Sequence, residues 1–246
     1  MISLLIAAVV ATQTPPADPR QPVIDYRRCL DKAQRAPADA LLEAETWTRR
    51  GGGVAALHCL GVAQAASKQP AEGARTLEAA AEAAAKPALT AELLAQAGNA
   101  WLLANRPAEA RAALSRAIAL VQAEPERYAE MLVDRARAAA STQDWPASIA
   151  DLRSAAKELP KRADIWLLLA TAQRRAGDTA GAAGAVEQAF ALDPDDPAIR
   201  LERGNARARA GDMAGARKDW QAAVDNAARD PDSANLARQN LDGTGQ

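Results

Sequence analysis

Apolar and small residues recur along most of the chain at helical spacing. Residues 163–196 read Trp166-x2-Leu169-Ala170, then Ala182-x3-Val186-x2-Ala189-x4-Pro194. Steps of three and four residues place such side chains on one face of an α-helix. Alternating Val/Ile/Thr runs of strand type do not occur, so the pattern predicts an all-α protein. The stretch RRAGDTAGAAGAVEQAFALDP, residues 174–194, is then the back half of a helix–turn–helix unit, neither linker nor phosphate loop.

The pattern repeats. A shift of 34 residues lays Gly177-Asp178 on Gly211-Asp212, Ala182 on Ala216, Ala189 on Ala223 and Val186 on Trp220. The opposite shift lays Pro194 on Pro160, Ala189 on Ala155, Val186 on Leu152 and Ala170 on Ala136. In phase with these are 54–87 (Leu57, Leu60, Gly61, Leu77, Ala80), 91–124 (Leu94, Gly98, Trp101, Ala110, Leu114, Ala117), 129–162, 163–196 and 197–230. About one extra turn follows residues 87 and 124, in "KPAL" and "EPER". Residues 21–50 form a degenerate first copy, with Pro37 and Ala40 aligned to the start of the second helix. Pro70, Pro107 and Pro146 start second helices, where a missing N–H costs nothing. Residues 231–241 read as a solvating end helix, since terminal repeats need a polar outer face, and 242–246 as a tail.

These positions resemble the tetratricopeptide repeat family. Small residues at the eighth and twentieth positions let the two helices of a copy cross closely, a bulky residue at the twenty-fourth fills the seam, and a small one at the twenty-seventh admits the next copy. The resemblance covers roughly residues 21–241. It implies a right-handed α–α superhelix of about five clear repeats with a degenerate first copy and a C-terminal capping helix. Tyrosine is absent from the eleventh position, where Gln173, Ala139 and Arg207 stand and Trp101 substitutes. Arg135 and Arg203 occupy the seventh position and Arg200 the fourth; their stems are expected to be buried with the charged heads in water.

Composition agrees with thin seams instead of one thick core. Of 246 residues 66 are alanine, against one Phe, two Tyr and five Trp. The formal charge of −1, with Lys and Arg spread evenly, excludes a nucleic-acid footprint. The run MISLLIAAVVA is too short to span a bilayer, which takes about 20 residues. It matches the apolar core of a secretory signal over residues 1–11, with Val9-Val10-Ala11 as cleavage site and 12–20 as a disordered, proline-rich linker. Export, with a periplasmic location and no membrane span after processing, is the expectation; the alternative is the cytoplasm. Cys29 and Cys59 are the two cysteines. An oxidising compartment favours a disulfide between them, and in the repeat register they fall on adjacent first helices; the alternative is two buried thiols.

Catalytic chemistry finds no support. The glycines at 51–53 lack a preceding strand and a GxxxxGK[ST] pattern, so they read as an interhelical turn. His58 has no partner at catalytic spacing and reads as a surface or groove histidine. No ligand set for a metal and no cofactor motif is present. Asp195-Asp196 suits a helix start, and the tryptophans read as seam fillers. The chain is expected not to be an enzyme.

Members of the family bind extended or helical peptides in a groove lined by the first helix of each copy. Carrying the groove positions over gives Asn99, Leu102 and Leu103; Val133 and Arg137; Leu167, Thr171, Arg174 and Arg175; Leu201, Asn205 and Arg209. The lysine of the family's carboxylate-clamp subclass is absent, since Ala95, Val133, Leu167 and Leu201 hold the fifth position. The resemblance thus implies a non-enzymatic scaffold for a protein or peptide partner, or alternatively an accessory subunit of an envelope or secretion assembly. Arg174, Arg175 and Arg209 are expected to lie together, with Leu167 and Leu201 beside them, facing a peptide with apolar side chains and negative charge.

Overall fold

The computed structural model describes residues 21–243; the leader expected at 1–11, the linker expected at 12–20 and the end of the expected tail lie outside them. Thirteen helices and no strand occur among the described residues. First and second helices of successive copies alternate: α1 (Gln21–Arg35) and α2 (Pro37–Arg49), α3 (Gly53–Ala66) and α4 (Pro70–Ala83), α5 (Pro87–Leu103) and α6 (Pro107–Leu120), α7 (Pro125–Ser141) and α8 (Trp145–Glu158), α9 (Ala163–Ala176) and α10 (Thr179–Leu192), α11 (Pro197–Arg209) and α12 (Met213–Asp225), then α13 (Pro231–Gly243). Each helix packs on the next, and each first helix except α7 against α9 packs closely on its counterpart in the following copy, giving a right-handed superhelix.

Local chemistry sets the helix ends. Pro37, Pro70, Pro87, Pro107, Pro125, Pro146 and Pro197 all sit in first turns. Asp144, Asp178 and Asp212 cap α8, α10 and α12 by accepting from the N–H of Ala147, Gly181 and Gly215. In the five clear copies the turn between the two helices places its fifteenth residue in the left-handed region: Lys68 (φ 64°), Asn105 (55°), Gln143 (60°), Gly177 (85°) and Gly211 (86°). The short turn of the first copy, at Ala36 (φ −143°), does not. The extra residues near 87 and 124 are not spacers between copies. They lengthen the first helix that follows, so α5 and α7 run 17 residues where α9 runs 14.

The seams close through small residues. A Cβ on Gly61, Gly98 or Gly204 would come within 2.7 Å of Leu77, 2.6 Å of Leu114 or 2.5 Å of Trp220. The twenty-seventh position holds Ala80, Ala117, Ala155, Ala189 and Ala223, all fully buried. A continuous core runs from Ala74 to Ala206, with smaller clusters at the two ends. In the N-terminal cluster a disulfide joins Cys29 of α1 to Cys59 of α3, with the Cα atoms 6.1 Å apart.

The arginines at the seventh position do not keep their heads in water. Arg135 grips Asp151 with two hydrogen bonds (2.7 and 2.9 Å), and Arg203 grips Asp219 (2.6 and 2.9 Å). Asp219 is 1% exposed and also receives Arg207 at 2.8 Å and Arg200 at 3.4 Å. A carboxylate on the facing second helix, sixteen residues on, replaces water as the partner.

Candidate functional site

Among the described residues most first helices pack on the first helix of the next copy, whereas no second helix packs closely on the next second helix. The first helices therefore lie on the inner side of the curve, and polar side chains tie most of them to their neighbours. Tyr26 meets His58 Nδ1 at 2.5 Å and Gln96 meets His58 Nε2 at 2.7 Å, linking α1, α3 and α5. His58 is therefore not a surface histidine: it is 4% exposed, closed in by the helices on either side of α3. The Tyr26 hydroxyl is held above the ordinary phenol range, first by burial and then by the charge of Glu92. Asn99 donates to Asp134 (3.0 Å), which also receives Arg137, tying α5 to α7. Arg174 grips Glu202 through two bonds (2.5 and 3.0 Å), tying α9 to α11, and Asn240 donates to Asn205 (2.9 Å), tying α11 to α13.

The α7–α9 junction differs. No hydrogen bond or ion pair joins these two helices among the described residues. A slot of about 80 Å³ opens between them instead, lined by Val133, Ala136, Arg137 and Ala140 of α7 and Leu168, Thr171 and Ala172 of α9, with Trp145, Ser148 and Leu152 of α8 completing it.

Beyond α9 the wall opens into a wider cleft of about 590 Å³. Arg174, Arg175, Leu201, Asn205 and Arg209 line it together with Glu202, Ala208, Trp220, Leu236 and Asn240. Arg174 is neutralised by Glu202, which is itself 6% exposed. Arg175 and Arg209 are exposed and form no ion pair among the described residues. The cleft thus carries two uncompensated guanidinium groups beside Leu201 and the half-exposed Leu236, a surface suited to forked hydrogen bonds with carboxylates.

Of the residues placed on the groove by sequence, Arg174, Arg175, Leu201, Asn205 and Arg209 share this cleft, while Val133, Arg137 and Thr171 share the slot. Leu167 lies outside both, and it and Leu102 pack against the core. Leu103 stands 73% exposed near the end of α5, apart from the cleft. Asn205 is occupied, accepting from Trp220 as well as Asn240. Glu202, Leu236 and Asn240 were not anticipated. A carboxylate at the sixth position of the last copy signals Glu202, but the contributions of α13 lie in a helix without the repeat signature.

The model for the tetratricopeptide repeat matches residues 133–189 and 167–234. Solved structures of the protein MamA are similar in fold. One is 18% identical, with 74% of this chain and 96% of that chain covered at a TM-score of 0.61. A second is 19% identical, covering 68% and 94% at 0.59. MamA of Desulfovibrio magneticus RS-1 is 17% identical, covering 78% and 95% at 0.56. No curated protein sequence matches significantly.

Proposed function

The chain is a tetratricopeptide repeat protein, and from that premise we propose that it is a non-catalytic scaffold whose concave wall holds a peptide segment of a partner protein. The observation that carries this reading is the cleft beyond α9. Arg175 and Arg209 leave positive charge uncompensated beside Leu201 and Leu236, so the fitting partner presents carboxylates and apolar side chains. Among the described residues the buried carboxylates Glu202 and Asp219 are each held by a structural arginine partner.

The disulfide and the apolar run ending in Val9-Val10-Ala11 support a working place in an oxidising compartment outside the cytoplasm. Among the described residues no helix is long and apolar enough to cross a membrane. Peptide mapping without reductant, on protein from its own host, should return Cys29 and Cys59 in one cross-linked fragment; two free thiols would argue for a reducing compartment.

The functional test is affinity capture from the host envelope with the wild-type chain and with an Arg175→Glu/Arg209→Glu double variant. Both residues are exposed and unpaired, so the double variant should melt like the wild type and lose the captured partner. Undiminished capture would put the binding surface elsewhere.

A further inference from the structure

The slot between α7 and α9 sits on the same wall as the arginine cleft, and its size sets what it can take. A cavity of about 150 Å³ lined by apolar side chains accepts benzene. At about 80 Å³ the slot is too small for an aromatic ring and far below the several hundred cubic ångströms of a small-molecule site. It has room for one aliphatic side chain. Its inner wall is apolar, from Val133, Leu152 and Leu168, and Ala136, Ala140 and Ala172 keep it open.

Its position in the wall is also distinct. The junctions α1–α3, α3–α5, α5–α7, α9–α11 and α11–α13 each carry a side-chain hydrogen bond across the first helices. At α7–α9 the described residues supply none, and apolar surface stands where the other junctions have a polar tie. Thr171, on the slot, and Arg174 and Arg175, on the cleft, are one turn apart on α9. Neighbouring helix axes lie about 8–10 Å apart, which an extended chain at about 3.3 Å per residue spans in two to three residues.

Building on the peptide-groove reading above, we propose that the α7–α9 slot is the anchor subsite of the groove: it takes one aliphatic side chain of the partner peptide, and Arg175 and Arg209 take an acidic residue two or three positions away. The charge of the cleft selects the occupant, because a basic or neutral segment anchored in the slot would leave both guanidinium groups unmatched. Arg137, at the rim of the slot, is already paired with Asp134 and adds little.

Selection of a random twelve-residue peptide library on the full, disulfide-intact chain tests this. Enriched peptides should carry Leu, Ile, Val or Met two or three residues from Asp or Glu. For a synthetic peptide of that sequence, replacing the aliphatic residue by Ser should weaken binding at least about tenfold, the cost of leaving such a side chain in water. Filling the slot mouth with Ala140→Phe should weaken it similarly; the serine peptide, measured on the wild-type chain, keeps the test independent of how that variant folds. Enriched peptides that lack the spaced pair, or are indifferent to the serine replacement, yet depend on Arg175 and Arg209, would overturn the anchor while leaving the groove reading intact. No enrichment, or binding indifferent to both arginines, would overturn both.

Discussion

Arg203 and Asp219 face each other across the seam between α11 and α12, buried and joined by two hydrogen bonds. Arg135 and Asp151 make the same paired contact between α7 and α8, at the same two places of their repeat. The copy between them holds Leu169 and Ala185 there. One seam position is thus filled either by an ion pair or by an apolar pair, and each solution is internally consistent.

Breaking a buried pair by removing one partner strands the other charge. Asp219→Ala should therefore destabilise the chain by about 3–5 kcal/mol in urea unfolding. Arg203→Leu/Asp219→Ala, which copies the apolar solution, should regain much of that loss, because Arg200 and Arg207 are partly exposed and can turn to water. A double variant no more stable than Asp219→Ala would show that the pair does not organise the seam.

The repeat was legible in the sequence because its steric demands fall on residue size, and alanine, glycine and proline mark size and helix starts directly. The charged seam was not, although both halves of it stand in the sequence sixteen residues apart. Each arginine reads alone as a surface residue, and only the crossing of the two helices brings the aspartate to it. The turn shows a similar limit. Gly177 and Gly211 announce a left-handed residue, but Lys68, Asn105 and Gln143 adopt that conformation at the same repeat position without announcing it.

That difference predicts a gain. A non-glycine residue in the left-handed region costs roughly 1–2 kcal/mol, and glycine returns part of this in unfolded-state entropy. Gln143→Gly is exposed and should raise stability by about 0.5–1 kcal/mol in urea unfolding. Gly177→Ala should lower it by a similar amount. An unchanged or lower midpoint for Gln143→Gly would mean that this turn is held by contacts beyond its backbone.

Acid should weaken the C-terminal copies through exposed pairs. Asp193 is held below the ordinary carboxyl value near 3.8 by its hydrogen bonds from Arg229, and Asp164 likewise by Arg162. A carboxyl whose value is depressed on folding stabilises the fold above its unfolded value, and that stability is lost as pH falls through the folded one. The urea midpoint should hold from about pH 7 to pH 5 and drop below about pH 4. With Asp193→Asn it should start lower at neutral pH and converge on the wild type in acid. Parallel curves would show that Arg229 contributes nothing through this carboxylate.

Arg174 and Arg175 are adjacent in sequence and line one cleft, yet they should answer mutation differently. Arg174 is mostly buried and holds the nearly inaccessible Glu202 of the next first helix through two bonds. Arg174→Ala strands that carboxylate and should cost about 3 kcal/mol, as removal of one partner of a buried pair does. Arg175 is exposed and unpaired, so Arg175→Ala should move stability by no more than about 0.5 kcal/mol. Exchanging the charges, Arg174→Glu with Glu202→Arg, should recover part of the Arg174 loss. Thermal melts and peptide binding measured on the same samples separate the roles: Arg175→Ala should weaken binding at an unchanged midpoint, whereas Arg174→Ala should lower both. Equal midpoints for the two alanine variants would show that the Arg174–Glu202 pair does not fasten α9 to α11, and that both arginines are free to meet a partner.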